Sequence, residues 1–480
     1  MRWAALIGVT MLSVSCAEPR GARPQYPART PSFMDRQPSL GAPEGFAFPA
    51  AVQLRLAGGM RGLLAERHDL PIVVVRVVVL SGAAQGVALP VTQMIDEGAG
   101  GRTALEVSSD LLQLGASLTT DVRGDISLVN LRVLRPRLDP ALDILADVIM
   151  RPRFLSKEWT RVRGDLLSRA LQRRAQPAHV AQIALKGVVY GDHPYGRPTL
   201  ALPGELEQLE IDELRRYHGA HYRPDNVLVV AAGAVTAREL EEKLNARLGA
   251  WRVPVGPGSQ PAAASPPARP PRLALVTRAG ASQSVLRVGS LGPARRDADY
   301  AALRVLNTLF GGSFTSRLNL NLREKHGFTY GARSSFTLPR GPGLFTVRAS
   351  VDTANTVAAL REIFNELRAL IDRPPSAAEL DKAKQLVVEE LPALAETVDG
   401  LAEAYTEVGA YGMPLDTYAR LAAEVSAVTP ERIHALARKL VRPDQAAIVV
   451  VGDSKVLAEP LRAVYGRARR LDADGQRKRR

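Results

Sequence analysis

A single cysteine, Cys16, stands in a chain of 480 residues, so no intramolecular disulfide can form. Aromatic residues make up only 5%, too few for the stacking surfaces on which single-stranded nucleic acids lie. Histidine is also scarce, and none occurs between His68 and His179, so that stretch has no imidazole to offer a metal. What is present is 46% hydrophobic and 23% charged residues, a balance that suits a globular chain with a large core. The net charge is +14. No helix face is organised for a DNA groove, so nucleic acid is not an expected partner. The excess reads as a basic surface plus a solvated tail, "YGRARRLDADGQRKRR". Attraction to anionic headgroups or an acidic substrate is the sharper alternative.

The position of Cys16 matters. "MRWAALIGVTMLSVSC" has a basic start at Arg2, an apolar stretch too short to span a bilayer, and small residues before the cysteine. It resembles a bacterial lipoprotein signal, in which the cysteine is lipidated, although Ser13 stands where that pattern prefers an aliphatic residue. Residues 1–16 are therefore read as the signal peptide of an exported, periplasmic envelope protein, membrane-anchored where Cys16 is lipidated; cleavage without lipidation is the plainer alternative. Residues 17–50, rich in proline and arginine, read as an extended tether.

A second proline-rich segment, 253–271, cannot form a helix or a central strand and divides the remainder into 51–252 and 272–466, followed by a basic tail at 467–480. The two halves repeat each other. "YRPDNVLVVAAGAV" (222–235) parallels "VRPDQAAIVVVGDS" (441–454), and Gly115 parallels Gly331 at a nearly equal offset. The chain is thus a tandem duplication of one α+β domain.

Strand-like runs are expected at 71–80, 125–134, 226–235, 272–279, 284–291, 343–351 and 446–453. Thr103 and Glu106 have capping-box spacing ahead of Val107, Leu111 and Leu114, and Gly115 stops that helix. The same spacing recurs at Thr236/Glu239 and Ser376/Glu379, and Thr429-Pro430 opens another helix. Strands and long helices without regular alternation predict helices on one face of an antiparallel-rich sheet.

The order strand, "SGAAQG", short helix, "DEGAGGRTALEVSSDLLQLGASLTTDVRGD" resembles the opening of a peptidase M16 domain, of the pitrilysin, insulinase and processing-peptidase family. "YGDHPYGRP" (190–198), "YHGAHYRPDNVLVVAAGAV" and "LFGGSFTSRLNLNLREKHGFTYGARSSF" (309–336) agree with it in order and spacing. The resemblance covers about residues 50–465 and implies two LuxS/MPP-like domains, each a mostly antiparallel sheet packed by helices. Active members carry an inverted zinc motif, H-x-x-E-H, whose glutamate polarises the zinc-bound water. Here the motif falls on Leu89–Gln93. The histidine positions are Leu89 and Gln93, the general-base position is Thr92, and the distant glutamate falls near Ala170. None can do the required work, so no metal and no catalytic residue are assigned to this chain.

His218 and His221 have a ligand-compatible spacing but no third ligand, and His193 in "DHPYG" reads as a turn. Asp96 and Glu97 are adjacent and point apart on a helix. In two-chain members of the family, the subunit without zinc supplies an arginine and a tyrosine to bound peptide. The matching positions in "LREKHGFTYGARS" are Arg323 and Tyr330. An arginine fork can hold a carbonyl or carboxylate, and a tyrosine hydroxyl can donate to an oxyanion. Without the resemblance the pair would read as a solvent-facing helix charge and a half-buried core ring. Gly311 and Gly312 resemble the family's flexible substrate loop. The resemblance therefore implies a non-catalytic subunit that binds peptide and forms a heterodimer with a zinc-bearing sister chain. The alternative is an envelope scaffold with no part in proteolysis.

Overall fold

Among the described residues twelve strands form two six-stranded sheets. The first holds β1 (Val52–Arg55), β2 (Arg61–Glu66), β3 (Ile72–Val79), β4 (Ser117–Arg123), β5 (Ile126–Leu134) and β6 (Val227–Gly233), in the order β1-β2-β6-β3-β5-β4. The second holds β7 (Leu273–Thr277), β8 (Gln283–Gly292), β9 (Ala332–Thr337), β10 (Gly343–Asp352), β11 (Ala447–Gly452) and β12 (Arg469–Leu471), in the order β12-β7-β11-β8-β10-β9. Among the described residues only β2/β6, β7/β11 and β7/β12 pair in parallel. The computed structural model describes residues 46–83, 86–252, 265–267, 272–296 and 299–477. The segment 1–16 with Cys16, nearly all of the 17–50 tether and most of the 253–271 linker lie outside the described residues.

The central strands are almost uninterrupted apolar runs: β3 reads IVVVRVVV, and β6 is buried at every position. Such runs suit strands covered on both faces, and here both faces are covered. On one face of the first sheet, Val73, Val75 and Val77 meet Leu142 and Leu145 of helix Leu138–Met150 in one cluster with Val107 and Leu111 of helix Ala104–Gln113. On the other face, Leu63, Val74, Val78 and Leu228 meet Leu401, Tyr405 and Val408 of helix Val398–Tyr411, which belongs to the second half. The second sheet answers in kind. Val285, Val449 and Val451 pack against Ala181, Leu185 and Val188 of helix Pro177–Tyr190 from the first half. Each half lends one helix to the other's sheet. This corrects the expectation of helices on one face only, because the second layer comes from the other repeat. The approach is close: a Cβ on Gly409 would lie 2.3 Å from the Leu228 side chain.

The local signals behave as their chemistry dictates. Thr103 with Glu106 and Ser376 with Glu379 form reciprocal capping boxes. Thr236 and Thr429 cap their helices, and Gly115 takes a left-handed φ of 60°. Two stretches differ from expectation. The tail beyond 466 is not simply solvated: Leu471 is buried, β12 runs beside β7, and Asp474 pairs with Arg174 at 2.8 Å. The end of the tether is docked as well. Phe48 stacks on Tyr418 with ring centroids 5.1 Å apart, and Tyr405 Oη donates to the Pro49 carbonyl at 2.6 Å.

Candidate functional site

The segment 89–93 forms the short helix Ala88–Thr92 and its C-terminal cap, lying against β4, β5 and helix Ile211–His221. Residues 89 and 93 are one turn apart and share a face. Leu89 packs on the first-half core. Thr92 is fully buried; its hydroxyl donates to the Ala88 carbonyl at 2.7 Å and lies 3.3 Å from Tyr222 Oη. The Gln93 amide is held at both ends. Its Nε2 donates to Thr120 Oγ1 at 2.9 Å, and its Oε1 accepts from Arg169 Nη1 at 3.1 Å. Ala170, next along helix Ser156–Ala175, is buried in the same core. The fold therefore brings the 169–170 turn to residue 93, as a metal site would require, but fills it with an amide–guanidinium bond. Leucine and alanine have no donor atom, and Thr92 and Gln93 spend theirs inside the protein. These residues do not fit zinc.

The two neighbouring histidines are also committed to the fold. His218 Nε2 lies 2.9 Å from the Ile149 carbonyl, and its ring stacks on Tyr222 at 4.5 Å. Burial pushes His218 down to about 4. His221 Nδ1 lies 2.9 Å from Ser81 Oγ, and its pKa is also lowered by burial. His193 accepts from the Tyr195 amide and caps the turn Pro194–Gly196. Among the described residues no group of three His, Cys, Asp or Glu side chains converges as a ligand set.

Asp96 and Glu97 do part company. Glu97 pairs with Arg161. Asp96 is pushed up to about 6, first by burial and further by the Glu97 charge, against the pull of its own backbone amide and of Arg161. A carboxyl titrating near neutrality beside the erased motif is a feature that sequence could not show, because its cause is tertiary burial.

A second unforeseen element ties the halves together. Tyr195 Oη donates to Asp125, and the other Asp125 oxygen accepts from the Arg340 amide at 2.7 Å. Arg340 Nη1 donates to the Leu80 carbonyl at 3.0 Å, and Tyr190 Oη to the Pro342 carbonyl at 2.9 Å. "YGDHPYGRP", with Asp125 and Leu80, thus forms the first half's side of a polar latch on the turn between β9 and β10.

In the second half, Arg323 lies in the wide helical turn Leu320–Lys325, with its guanidinium 4.4 Å from the Phe314 ring centroid and 3.3 Å from the Glu324 carboxylate. Phe314 is 55% exposed and Tyr330 92% exposed. Tyr330 is therefore not the half-buried core ring that its residue type alone suggested. Asn319 fastens the two loops to each other: its Nδ2 donates to the Phe314 carbonyl at 2.6 Å, and its Oδ1 accepts from the Ala332 amide at 3.1 Å.

Gly311 and Gly312 end the turn Thr308–Gly312. A Cβ on Gly311 would lie 2.5 Å from the Ser334 amide nitrogen, and one on Gly312 2.8 Å from Asn307 Nδ2. Gly311 allows close packing against β9, and Gly312 against the end of helix Tyr300–Asn307. Gly311→Ala is expected to cost about 1–3 kcal/mol through overpacking. A urea midpoint unchanged by this substitution would show that the segment yields readily, as a flexible substrate loop would.

Residues 71–202 match the insulinase (peptidase M16) family, and residues 208–387 match the peptidase M16 inactive domain. An uncharacterized zinc protease of Streptomyces coelicolor is 26% identical over 388 residues, which span 78% of this chain and 82% of that protein. A non-peptidase homolog from Helicobacter pylori is 21% identical over 81% of this chain and 91% of its own length. Among solved structures, a peptidase M16 inactive domain from Pseudomonas fluorescens superposes with a TM-score of 0.77 at 25% identity, covering 84% of this chain and 98% of that one. A protease from Helicobacter pylori gives a TM-score of 0.76 at 17% identity, covering 84% and 99%, a likeness of fold alone.

Proposed function

This chain belongs to the peptidase M16 family as an inactive member, and from that premise we propose that it is the peptide-gripping subunit of a two-chain peptidase. A zinc-bearing sister chain supplies the metal and the general base. This chain supplies Arg323 and Tyr330, and a lipidated Cys16 holds it in the cell envelope. The observation that carries the reading is the contrast between the two halves. At 89–93 and 170 every side chain is inert or spent on internal bonds, whereas Tyr330 stands exposed and Phe314, also exposed, lies against the Arg323 guanidinium. A solvent-facing tyrosine hydroxyl can donate to an oxyanion, and a guanidinium half-held by an aromatic ring can still offer its edge to a peptide carbonyl.

The test is peptide hydrolysis by this chain, by a sister chain with an intact H-x-x-E-H motif, and by their mixture, with zinc measured on each. Activity is expected in the mixture, at least ~10-fold above the sister alone, and Tyr330→Phe should remove most of that gain. A sister that is fully active alone and unchanged by this chain would sink the reading. Arg323→Ala and Tyr330→Phe variants that assemble and leave the rate untouched would favour an envelope scaffold instead.

A further inference from the structure

The pairing register places three arginines in one row across the second sheet. Arg287 on β8 is directly opposite Arg348 on β10, which is directly opposite Arg333 on β9. Directly opposed residues share a sheet face, so three guanidinium groups occupy a band roughly 10 Å long. Like charges in this arrangement repel one another. Among the described residues none of the three has an ion pair; Asp352, on the same face of β10, is not bonded to them either.

The first sheet shows how the chain covers such a position. Arg76 and Arg287 are equivalent, since each sits opposite the same point of the central strand, Val230 in β6 and Val449 in β11. Each also donates Nη2 to a carbonyl at the start of the exchanged helix, Arg76 to Asp399 and Arg287 to Ala178. The helices thus align with an offset of 221, which sets Glu403 against Gln182. Arg76 is fully served: Nε donates to Asn130 at 2.9 Å and Nη1 to Glu403 at 2.6 Å. Around Arg287 the amide of the first sheet is replaced by a second cation and the carboxylate by a neutral side chain. Arg348 stands where Asn130 does, and Gln182 where Glu403 does. Arg287 Nη1 turns to its neighbour's carbonyl, and its buried Nε has no partner. Burial, with Arg348 adding to it, pushes Arg287 down to about 10.

A buried cation without its counter-charge is costly, and the exposed Arg348 and Arg333 extend it to the surface. We propose that the Arg287–Arg348–Arg333 row receives the carboxylates of an acidic peptide. The row does for a bound chain what Arg76, Arg123 and Arg132 do for Asp399 and Glu403 of the chain's own helix. Its outer member, Arg333 on β9, follows Tyr330 by three residues, Tyr330 lying in the loop that leads into the strand. The inference rests on the peptide-gripping reading and gives that site its substrate class.

The experiment is fluorescence anisotropy with the full chain and two labelled peptides, one carrying four Asp or Glu residues and one carrying Asn or Gln in their place. The acidic peptide is expected to bind about tenfold more tightly, with a preference that fades as salt rises. Arg333→Ala with Arg348→Ala, both at exposed positions, should abolish the preference. Gln182→Glu, which offers the row an internal carboxylate, should weaken it. Equal binding of the two peptides, or a preference that survives the double substitution, overturns the proposal and leaves peptide gripping intact. No binding of either peptide overturns both. Tighter binding to phosphatidylserine vesicles than to the acidic peptide, lost in the double variant, assigns the row to a lipid surface and also overturns it.

Discussion

Asp96→Asn is expected to stabilise the protein by about 2–3 kcal/mol at pH 8 and by almost nothing at pH 3.5. Burial raises Asp96 from an ordinary 3.8 to about 6. Between those values the folded state holds a proton that the unfolded state has released. The stability this group contributes is therefore complete below about pH 4 and is lost as pH rises through 6. Asparagine keeps the shape and never ionises, so it escapes the loss. His218 has the opposite sign. Its folded pKa is depressed to about 4, so its contribution is present above the ordinary 6.5 and lost as pH falls through 4. In the unaltered protein the two slopes oppose each other between pH 4 and 6. Removing Asp96 should expose the histidine's slope, so that stability climbs with pH across that window. Urea unfolding at pH 4, 5, 6.5 and 8 measures both effects. An Asp96→Asn variant no more stable than its parent at pH 8 would show that the carboxylate is adequately solvated where it lies.

The sequence carried the elements whose causes are local. β3, β5, β6, β8, β10 and β11 follow from apolar runs, and the capping boxes at Thr103 and Ser376 follow from spacing alone. It also carried the repeat. Edge strands were harder: β4 reads SLTTDVR and β9 ARSSFT, both half-exposed and poor in large apolar residues, so they do not stand out until a neighbour pairs with them. The exchange of helices could not be read at all. Val398–Tyr411 looks like any amphipathic helix, and nothing in its pattern says which sheet it faces. The same limit holds at the site. That Leu89, Thr92, Gln93 and Ala170 cannot hold zinc is a matter of residue type. That Gln93 and Arg169 close the gap, and that Asp96 is half-buried nearby, depends on contacts between distant segments.

The helix exchange also makes one ion pair bear on the joining of the halves, and this gives the second large effect. Glu403→Ala is expected to lower stability by about 2–3 kcal/mol. Removing one partner of a buried pair costs about 3–5 kcal/mol, and the figure is reduced here because the Glu403 side chain is 40% exposed while Arg76 is 10% exposed. The loss has two parts, since Glu403 receives Arg76 on one oxygen and Arg123 on the other. Burial pulls the Glu403 pKa upward, but Arg123 and Arg76 overcome it and hold it below the ordinary range. The stabilisation is thus present above the ordinary glutamate pKa and lost as pH falls below it. Gln182→Glu is the converse. It places a carboxylate at the equivalent point of the other exchanged helix, against Arg287, and should raise stability by ~1 kcal/mol. The two substitutions lie on different helices over different sheets, so their effects should add. If Gln182→Glu destabilises as Glu403→Ala does, the alignment of the two helices is wrong, and Arg287 is served by something other than the charge the other half uses. If it stabilises while weakening a preference for acidic peptide, one carboxylate will have shown both what the first sheet has and what the second sheet awaits.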